Sequence, residues 1–270
     1  MTPARFQTIV WRYYREHGRH DLPWRKTHDL YHILVSEVML QQTQVERVRS
    51  FYAEFTKRFP TAKKLAEAKL SEVVKVWQGL GYNRRAKMLR EATKELDLGR
   101  SDSPKKTIAE LEELPGVGPY TARAIAAFAY NEDTIVIETN IRTVVIHHFF
   151  SDRKDKISDA EIEKVLARAL PQGRAREWYS ALMDYGASLK RAGVSHNART
   201  KAAAKQTKFA GSLRQARGAI LRELARGAQS APRLAHLLGD DRCDQLHEAL
   251  GALIVEGLVR KEKRKYVLTD

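Results

Sequence analysis

The sequence predicts an all-α protein of two helical subdomains followed by a small C-terminal module. Three observations predict it. Apolar residues recur at helical spacing along most of the chain, Gly and Pro fall between those runs, and strand-type alternation is nearly missing before residue 260. With 270 residues the chain is long enough for two or three modest domains with real cores.

Phe6, Ile9, Val10 and Tyr13 mark a first helix over residues 4–18, with Gly18 as its stop. His20-Asp21-Leu22-Pro23-Trp24-Arg25 follows as an extended loop, because Pro23 disfavours helix at Leu22. Helical patterns then run over 31–43, 43–59, 70–78 and 84–96, joined by turns that hold Pro60, Gly79-Leu80-Gly81 and Ser101-Asp102-Ser103-Pro104. A helix from Ile108 closes on Leu111 and Leu114, and Pro115-Gly116-Val117-Gly118 cannot continue it. Pro119 suits the first turn of the next helix, which runs to Tyr130. Further helices are expected over 139–149, 158–170 and 175–190. From Leu213 a helix over 213–226 precedes one after Pro232 and another after Asp240-Asp241. Two strand-like ends, Leu258-Val259 and Tyr266-Val267-Leu268, then flank the basic turn Arg260–Lys265. Three helices and a basic hairpin look like a winged helix-turn-helix.

Lys and Arg number 48 against 33 Asp and Glu, a formal net charge of +15. Such an excess points to a polyanionic partner, nucleic acid before a membrane surface. No apolar run approaches the ~20 residues that span a bilayer, and the N-terminus does not read as a signal peptide. The expectation is a soluble cytoplasmic protein, nucleoid-associated in a prokaryote, and a monomer. The one cysteine, Cys243, allows neither an intrachain disulfide nor a four-cysteine metal site. Residues 188–211 carry Lys190, Arg191, His196, Arg199, Lys201, Lys205 and Lys208 with no acid. They read either as a solvated linker or as an arm that tracks phosphates.

The turn at Gly116 and Gly118 lets backbone N–H groups approach an anion, and the helix N-terminus after it adds donors and partial positive charge. A plain helical hairpin has the same local sequence. Glu37 interrupts the apolar run from Ile33 to Leu40, and Glu138 with Asn140 follows the hairpin after Thr134-Ile135-Val136-Ile137.

Leu114–Ala122 (LPGVGPYTA) followed by Ile137–Asn140 (IETN) resembles the helix-hairpin-helix DNA glycosylases, in which a carboxylate sits shortly beyond the hairpin. Leu22–Arg25 (LPWR), Ser36–Val45 (SEVMLQQTQV) and Trp77–Ala86 (WQGLGYNRRA) resemble the adenine glycosylase branch, the MutY-like enzymes. The resemblance covers roughly residues 20–190. It implies a helical subdomain over 29–137 that carries the hairpin, and a second built from 1–28 with 138–190, with the base-binding cleft between them. Residues 191–211 would then be a basic linker and 212–270 the winged helix. Most such relatives hold an iron–sulfur cluster on four cysteines just after the segment matching Asp184–Ala187, where this chain has none, so the cluster is expected to be absent. The branch usually ends in a β-rich Nudix-like domain that recognises 8-oxoguanine, for which residues 212–270 are too few. Hairpin carbonyls in such folds often hold a monovalent cation, which these residues neither require nor forbid.

Hydrolysis of a glycosidic bond needs a proton for the departing base and negative charge near a sugar that becomes cationic. By the resemblance Glu37 stands at the family's general acid, and burial among apolar residues would raise its pKa toward neutrality. A surface glutamate on a polar stripe is the plainer alternative. Glu138 stands where the family has Asp and would stabilise the transition state, although it could be only a helix cap, a task open to Thr139 and Asn140 as well. Tyr120 replaces the Schiff-base lysine of lyase-type relatives, which implies a monofunctional enzyme. Tyr120, Asn140 and Arg25 match further positions at the catalytic centre, Trp24 a base-pocket wall and Asp184 an acidic pocket residue. His20 lies where an arginine contacting the base is common. Gln41, Gln42 and Tyr82 match the wedge that fills the hole left by a flipped nucleotide. Gly116, Gly118, Thr121 and the basic arm are the expected DNA contacts. The resemblance implies a glycosylase that flips a mispaired adenine, opposite 8-oxoguanine or G, from double-stranded DNA. Alternatives are removal of T, U or hypoxanthine opposite G, or an idle DNA-binding protein.

Overall fold

The computed structural model describes residues 1–96, 105–194, 196, 199, 208–239 and 242–270. Its first helices are α1 (Pro3–His17), α2 (Leu30–Leu40), α3 (Val45–Arg58), α4 (Ala62–Glu67), α5 (Leu70–Trp77), α6 (Arg84–Glu95) and α7 (Ile108–Glu112). There follow α8 (Pro119–Tyr130), α9 (Thr139–Phe149), α10 (Asp159–Ala169), α11 (Ala175–Arg191) and α12 (Leu213–Leu224). The chain ends with β1 (Gln229–Ser230), α13 (Ala231–Leu238), α14 (Cys243–Val255), β2 (Val259–Glu262) and β3 (Lys265–Leu268). Among the described residues no helix is long and apolar enough to cross a membrane.

Side-chain caps explain many of the boundaries. Thr107 with Glu110, and Ser158 with Glu161, form reciprocal capping boxes at α7 and α10. Asn131 ends α8 in the left-handed region (φ 54°). Its side chain then ties that end to the start of α11, accepting from Arg176 N at 3.0 Å and donating to Gly173 O at 2.6 Å.

The chain divides into two compact units, Met1–Ile33 with Lys105–Glu113 and Val117–Lys205, and Leu34–Pro104 with Leu114–Gly116 and Gln206–Asp270. The expected boundary near residue 137 differs. Helix α8 groups with α9 and α11, because Ala124 and Ala127 share a core with Val136, Ile141, Val144, Trp178 and Leu182. In the other unit Leu70 and Val74 of α5 share a core with Ile220, Leu221, Leu246, Leu250 and Leu253 of the C-terminal helices. That module carries a small antiparallel sheet of order β1-β3-β2. The basic stretch is not all turn: Arg260 pairs with Val267 and Lys261 with Tyr266 in the ladder, which leaves Lys263 (φ 52°) and Arg264 at the bend. The sequence pattern also missed α4 and β1, both too short to show a period, and ran α2 on to Thr43 where the helix ends at Leu40.

Candidate active site

Helix α9 starts at Glu138, whose backbone is extended while its side chain folds onto the helix end. Glu138 Oε1 accepts from Asn140 N at 2.7 Å and Ile141 N at 2.9 Å, and Oε2 from Asn140 Nδ2 at 3.3 Å. Glu138 is therefore itself the cap, and neither Thr139 nor Asn140 takes that place. It keeps a solvent-accessible edge but is densely surrounded by protein. Burial pushes its pKa up, against the two backbone N–H groups and the charges of Lys190 and Arg142. Lys190, in the last turn of α11, is half-buried, and its own pKa is lowered by burial while Glu138 opposes the shift. Arg142 is held by Asp159 at 2.8 and 2.7 Å and feels both Glu138 and Tyr120. Tyr120, in the first turn of α8, is 36% exposed. Tyr120, Glu138, Asn140, Arg142 and Lys190 thus belong to one electrostatic neighbourhood. The sequence reading had assigned Lys190 to the DNA-binding arm and passed over Arg142.

The α9 end is held against α11 by absence of bulk. A Cβ at Gly186 would lie 2.3 Å from Asn140 O, so only glycine permits this approach. Half a turn earlier on α11, Asp184 is buried, 2% exposed, between two arginines. It accepts from Arg25 Nη1 at 2.6 Å and Nη2 at 2.9 Å, from Arg19 Nε at 2.7 Å and from Arg19 N at 2.8 Å. Burial alone would raise the Asp184 carboxyl, but the hydrogen bonds and charges of Arg25 and Arg19 outweigh it and hold it below the usual range. Arg25 also donates to Arg19 O and Ser180 O, so its guanidinium pins the 19–25 loop to α11. Trp24 is buried in the short 3-10 helix Pro23–Arg25. His20, expected at the base, meets Tyr14 O at 3.0 Å and packs on the Tyr14 ring while staying exposed. The arginine beside it, Arg19, is the residue that reaches Asp184.

In the second unit Glu37 is buried, 6% exposed, which removes the surface-stripe alternative. The end of its helix is gathered by Arg85 of α6, which donates to Val38 O, Met39 O and Gln41 O at 2.8, 2.9 and 2.6 Å. Arg85 also reaches Thr43 Oγ1 and Gly81 O, both at 3.1 Å. Two turns are tied to one guanidinium, and burial lowers its pKa to about 10, so it stays charged at neutral pH. Each turn displays a residue in the left-handed region, Gln42 (φ 57°) and Tyr82 (φ 47°), both exposed. Gln41 contributes its carbonyl to the clamp. Such backbone strain in non-glycine residues is uncommon and concentrates at functional surfaces. Gly116 (φ 79°) is needed for its backbone angle and because a Cβ there would sit 2.7 Å from Met88 Cβ. Gly118 has open space around it and caps α8.

Not every expected DNA contact is displayed. Thr121 is buried, 4% exposed, so its side chain belongs to the interior of α8. Arg199 donates to Phe150 O and Arg153 O, and its carbonyl accepts from Ile157 N at 2.9 Å, so Arg199 itself is tied to the α9–α10 connection. Arg191 and Lys208 are exposed, and Lys201 and Lys205 lie outside the described residues. An iron–sulfur cluster does not fit this donor set: the one cysteine, Cys243, opens α14 in the C-terminal module.

Residues 35–172 match the HhH-GPD superfamily base excision DNA repair protein family. The adenine DNA glycosylase of Mycolicibacterium smegmatis is 36% identical over 266 residues, which is 91% of this chain and 90% of that protein. The adenine DNA glycosylase of Mycobacterium tuberculosis is 39% identical over 67% of this chain, but the match spans only 60% of the relative. The fold is also that of a thermostable thymine-DNA glycosylase (TM-score 0.61, 24% identity, 68% of this chain and 86% of that one). An endonuclease III–DNA complex gives 0.55 at 19% identity over 71% of this chain and 87% of that one. Shared helices with a carboxylate set just beyond the hairpin, and a family match over half the chain, lead to one conclusion: the chain belongs to the HhH-GPD superfamily of base excision DNA repair proteins.

Proposed function

We propose that the chain is a monofunctional DNA glycosylase that hydrolyses the N-glycosidic bond of an adenine mispaired with 8-oxoguanine or G. The observation that carries this reading is the α9 N-terminus, where a desolvated Glu138 carboxylate is held by two backbone N–H groups beside Asn140. A fixed negative charge in such surroundings stabilises a developing oxocarbenium ion more strongly than it would in water. The likeness to adenine DNA glycosylases over nine-tenths of the chain supports adenine as the base.

Glu37, buried in α2, protonates the departing base and afterwards handles the attacking water. Tyr120 adds its hydroxyl at the sugar and offers no amine for an imine, so strand cleavage by that route does not follow. Arg25 and Asp184 act by positioning, since each is committed to the other. Gln42 and Tyr82 enter the duplex from the two turns gathered by Arg85. Catalysis needs no iron–sulfur cluster.

The test is single-turnover release from duplexes bearing A, T, U or hypoxanthine opposite G or 8-oxoguanine, with Glu37→Gln alongside. Adenine release that vanishes in the variant is the expected result. Release of T or U without A would move the chain to another specificity, and no release from any duplex would end the enzyme reading.

A further inference from the structure

We infer that Tyr82, Arg214 and Phe209 form one base-stacking platform, by which the C-terminal module takes part in holding the strand from which the base is extruded. The inference rests on the proposed glycosylase reading and names a specificity element that the wedge residues alone do not supply.

Arg214, in the first turn of α12, donates from Nη1 to the Tyr82 hydroxyl at 2.9 Å. Its guanidinium carbon lies 5.6 Å from the Tyr82 ring centre and 6.0 Å from that of Phe209. Arg85 approaches the same Tyr82 ring at 5.5 Å, so the wedge tyrosine is held by cations from α6 and from the C-terminal module. Phe209 is 61% exposed and Tyr82 38%. A large aromatic ring left in solvent has a cost, and this one is placed with care. Phe209 O accepts from Ser212 N at 3.1 Å and Ser212 Oγ at 2.6 Å. Two residues on, Gly211 O accepts from Gln245 Nε2 of α14 at 2.9 Å.

The module that carries Arg214 is itself fixed to the helices behind Tyr82. Gln78 Nε2 donates to Leu221 O at 3.1 Å, Lys87 Nζ to Glu256 O at 2.7 Å, and Ser71 Oγ to Asp270 Oδ1 at 2.6 Å. Leu70 and Val74 lie in the module's own core. Exposed rings sharing a guanidinium, with Lys208 exposed beside them, match the chemistry of unstacked bases and phosphates, in which every base offers a π-face and the backbone offers charge. An apolar protein partner would find this surface too cationic.

The experiment uses the whole chain and duplexes with A opposite 8-oxoguanine, G or C, with 2-aminopurine next to the target adenine in the same strand as a stacking probe. Phe209→Leu and Arg214→Ala should each weaken binding of the mispaired duplex about tenfold, within the range for losing one base–aromatic stack. Both should lose 2-aminopurine quenching, affinity should fall more than the saturating rate, and Phe209→Trp should restore both readouts. Val255→Ser, at an 89% exposed position on α14, is the control that should change neither. If the wild type releases adenine and both variants bind within twofold with quenching intact, the platform is refuted while the glycosylase reading stands. If the wild type releases no adenine, the glycosylase reading fails, and the platform fails with it as a specificity element. Phe209→Leu alters only an exposed side chain, so the question stays decidable should Arg214→Ala fold poorly.

Discussion

A single added methyl group on α11 tests whether the α9 N-terminus is the seat of the chemistry. In Gly186→Ala the new Cβ would fall 2.3 Å from Asn140 O and 2.7 Å from both its carbonyl carbon and its Cβ, where ordinary contacts begin near 3.4 Å. The obstacle is backbone on a buried helix, with Ile141 and Val144 behind it, so it cannot swing aside as a side chain would. Helix α9 must retreat by roughly 1 Å, a displacement that can cost about a hundredfold in rate. Glu138 moves with it, because its carboxylate is anchored on Asn140 N and Ile141 N. Alanine in a helix interior is otherwise favoured over glycine by about 0.5–1 kcal/mol. Overpacking costs about 1–3 kcal/mol, which gives a net loss of about 0–2.5 kcal/mol and a melting temperature lowered by up to several degrees. Single-turnover adenine release at saturating enzyme, read beside a thermal melt, checks both. A variant that melts higher than wild type and cleaves at an unchanged rate would refute the packing argument outright.

Glu138→Gln should slow base release by roughly 10²–10³-fold while duplex affinity persists. Because burial raises the Glu138 pKa and the carboxylate is the working form, the wild-type rate should fall as pH drops through a value above the ordinary ~4.3, and Lys190→Met should move that limb higher still. An acid limb at or below 4.3, or one indifferent to Lys190, contradicts the assignment. Asp184→Asn leaves Arg25 and Arg19 without a counter-charge and should cost about 3–5 kcal/mol in urea unfolding. The Asp184 pKa is depressed in the fold, so its contribution is present above the unfolded value of ~3.9 and is lost as pH falls through the lower folded value. Arg85→Lys should lower stability by about 1–3 kcal/mol and weaken binding of mispaired duplexes, since one ammonium cannot serve five acceptors in two turns. His148 is driven down to about 4 by burial and by His147, so stability should decline as pH falls from about 6.5 toward 4, and His148→Phe should flatten that decline.

Helix identity was legible wherever a segment was long and periodic: α8 and α9 fall where Pro119 and Thr139 indicated. What pattern reading lost was set by single tertiary contacts. The end of α2 is fixed by Arg85, more than forty residues away, which binds the carbonyls of Val38, Met39 and Gln41. Nothing local announces that. Glu37 was visible as an acid inside an apolar run and Glu138 by its place beyond the hairpin at a helix start, but the partners of Glu138 were not. Lys190 looked like one charge among many in a basic stretch, and only the packing of α11 on α9 brings it to that carboxylate. Arg19 left no local mark, because its bond to Asp184 depends on how the 19–25 loop folds onto α11, which no periodicity records. Arg199 shows the converse: a residue that composition assigns to phosphate binding gives its Nη2 to the backbone carbonyls of Phe150 and Arg153.

The core shared by α5 and the C-terminal helices bears on how the protein is made. Leu70 and Val74 leave the ribosome long before Ala216 and Leu250, which cover them. At about 5–20 residues per second the interval is on the order of ten seconds or more. During that time the nascent unit has an unfinished apolar face, and contacts so distant along the chain close slowly. Synthesis of this protein should therefore expose more apolar surface, for longer, than its helical content suggests. Substitutions in α12 or α14 would then appear first as lowered yield in the cell, before any change in the chemistry is measured.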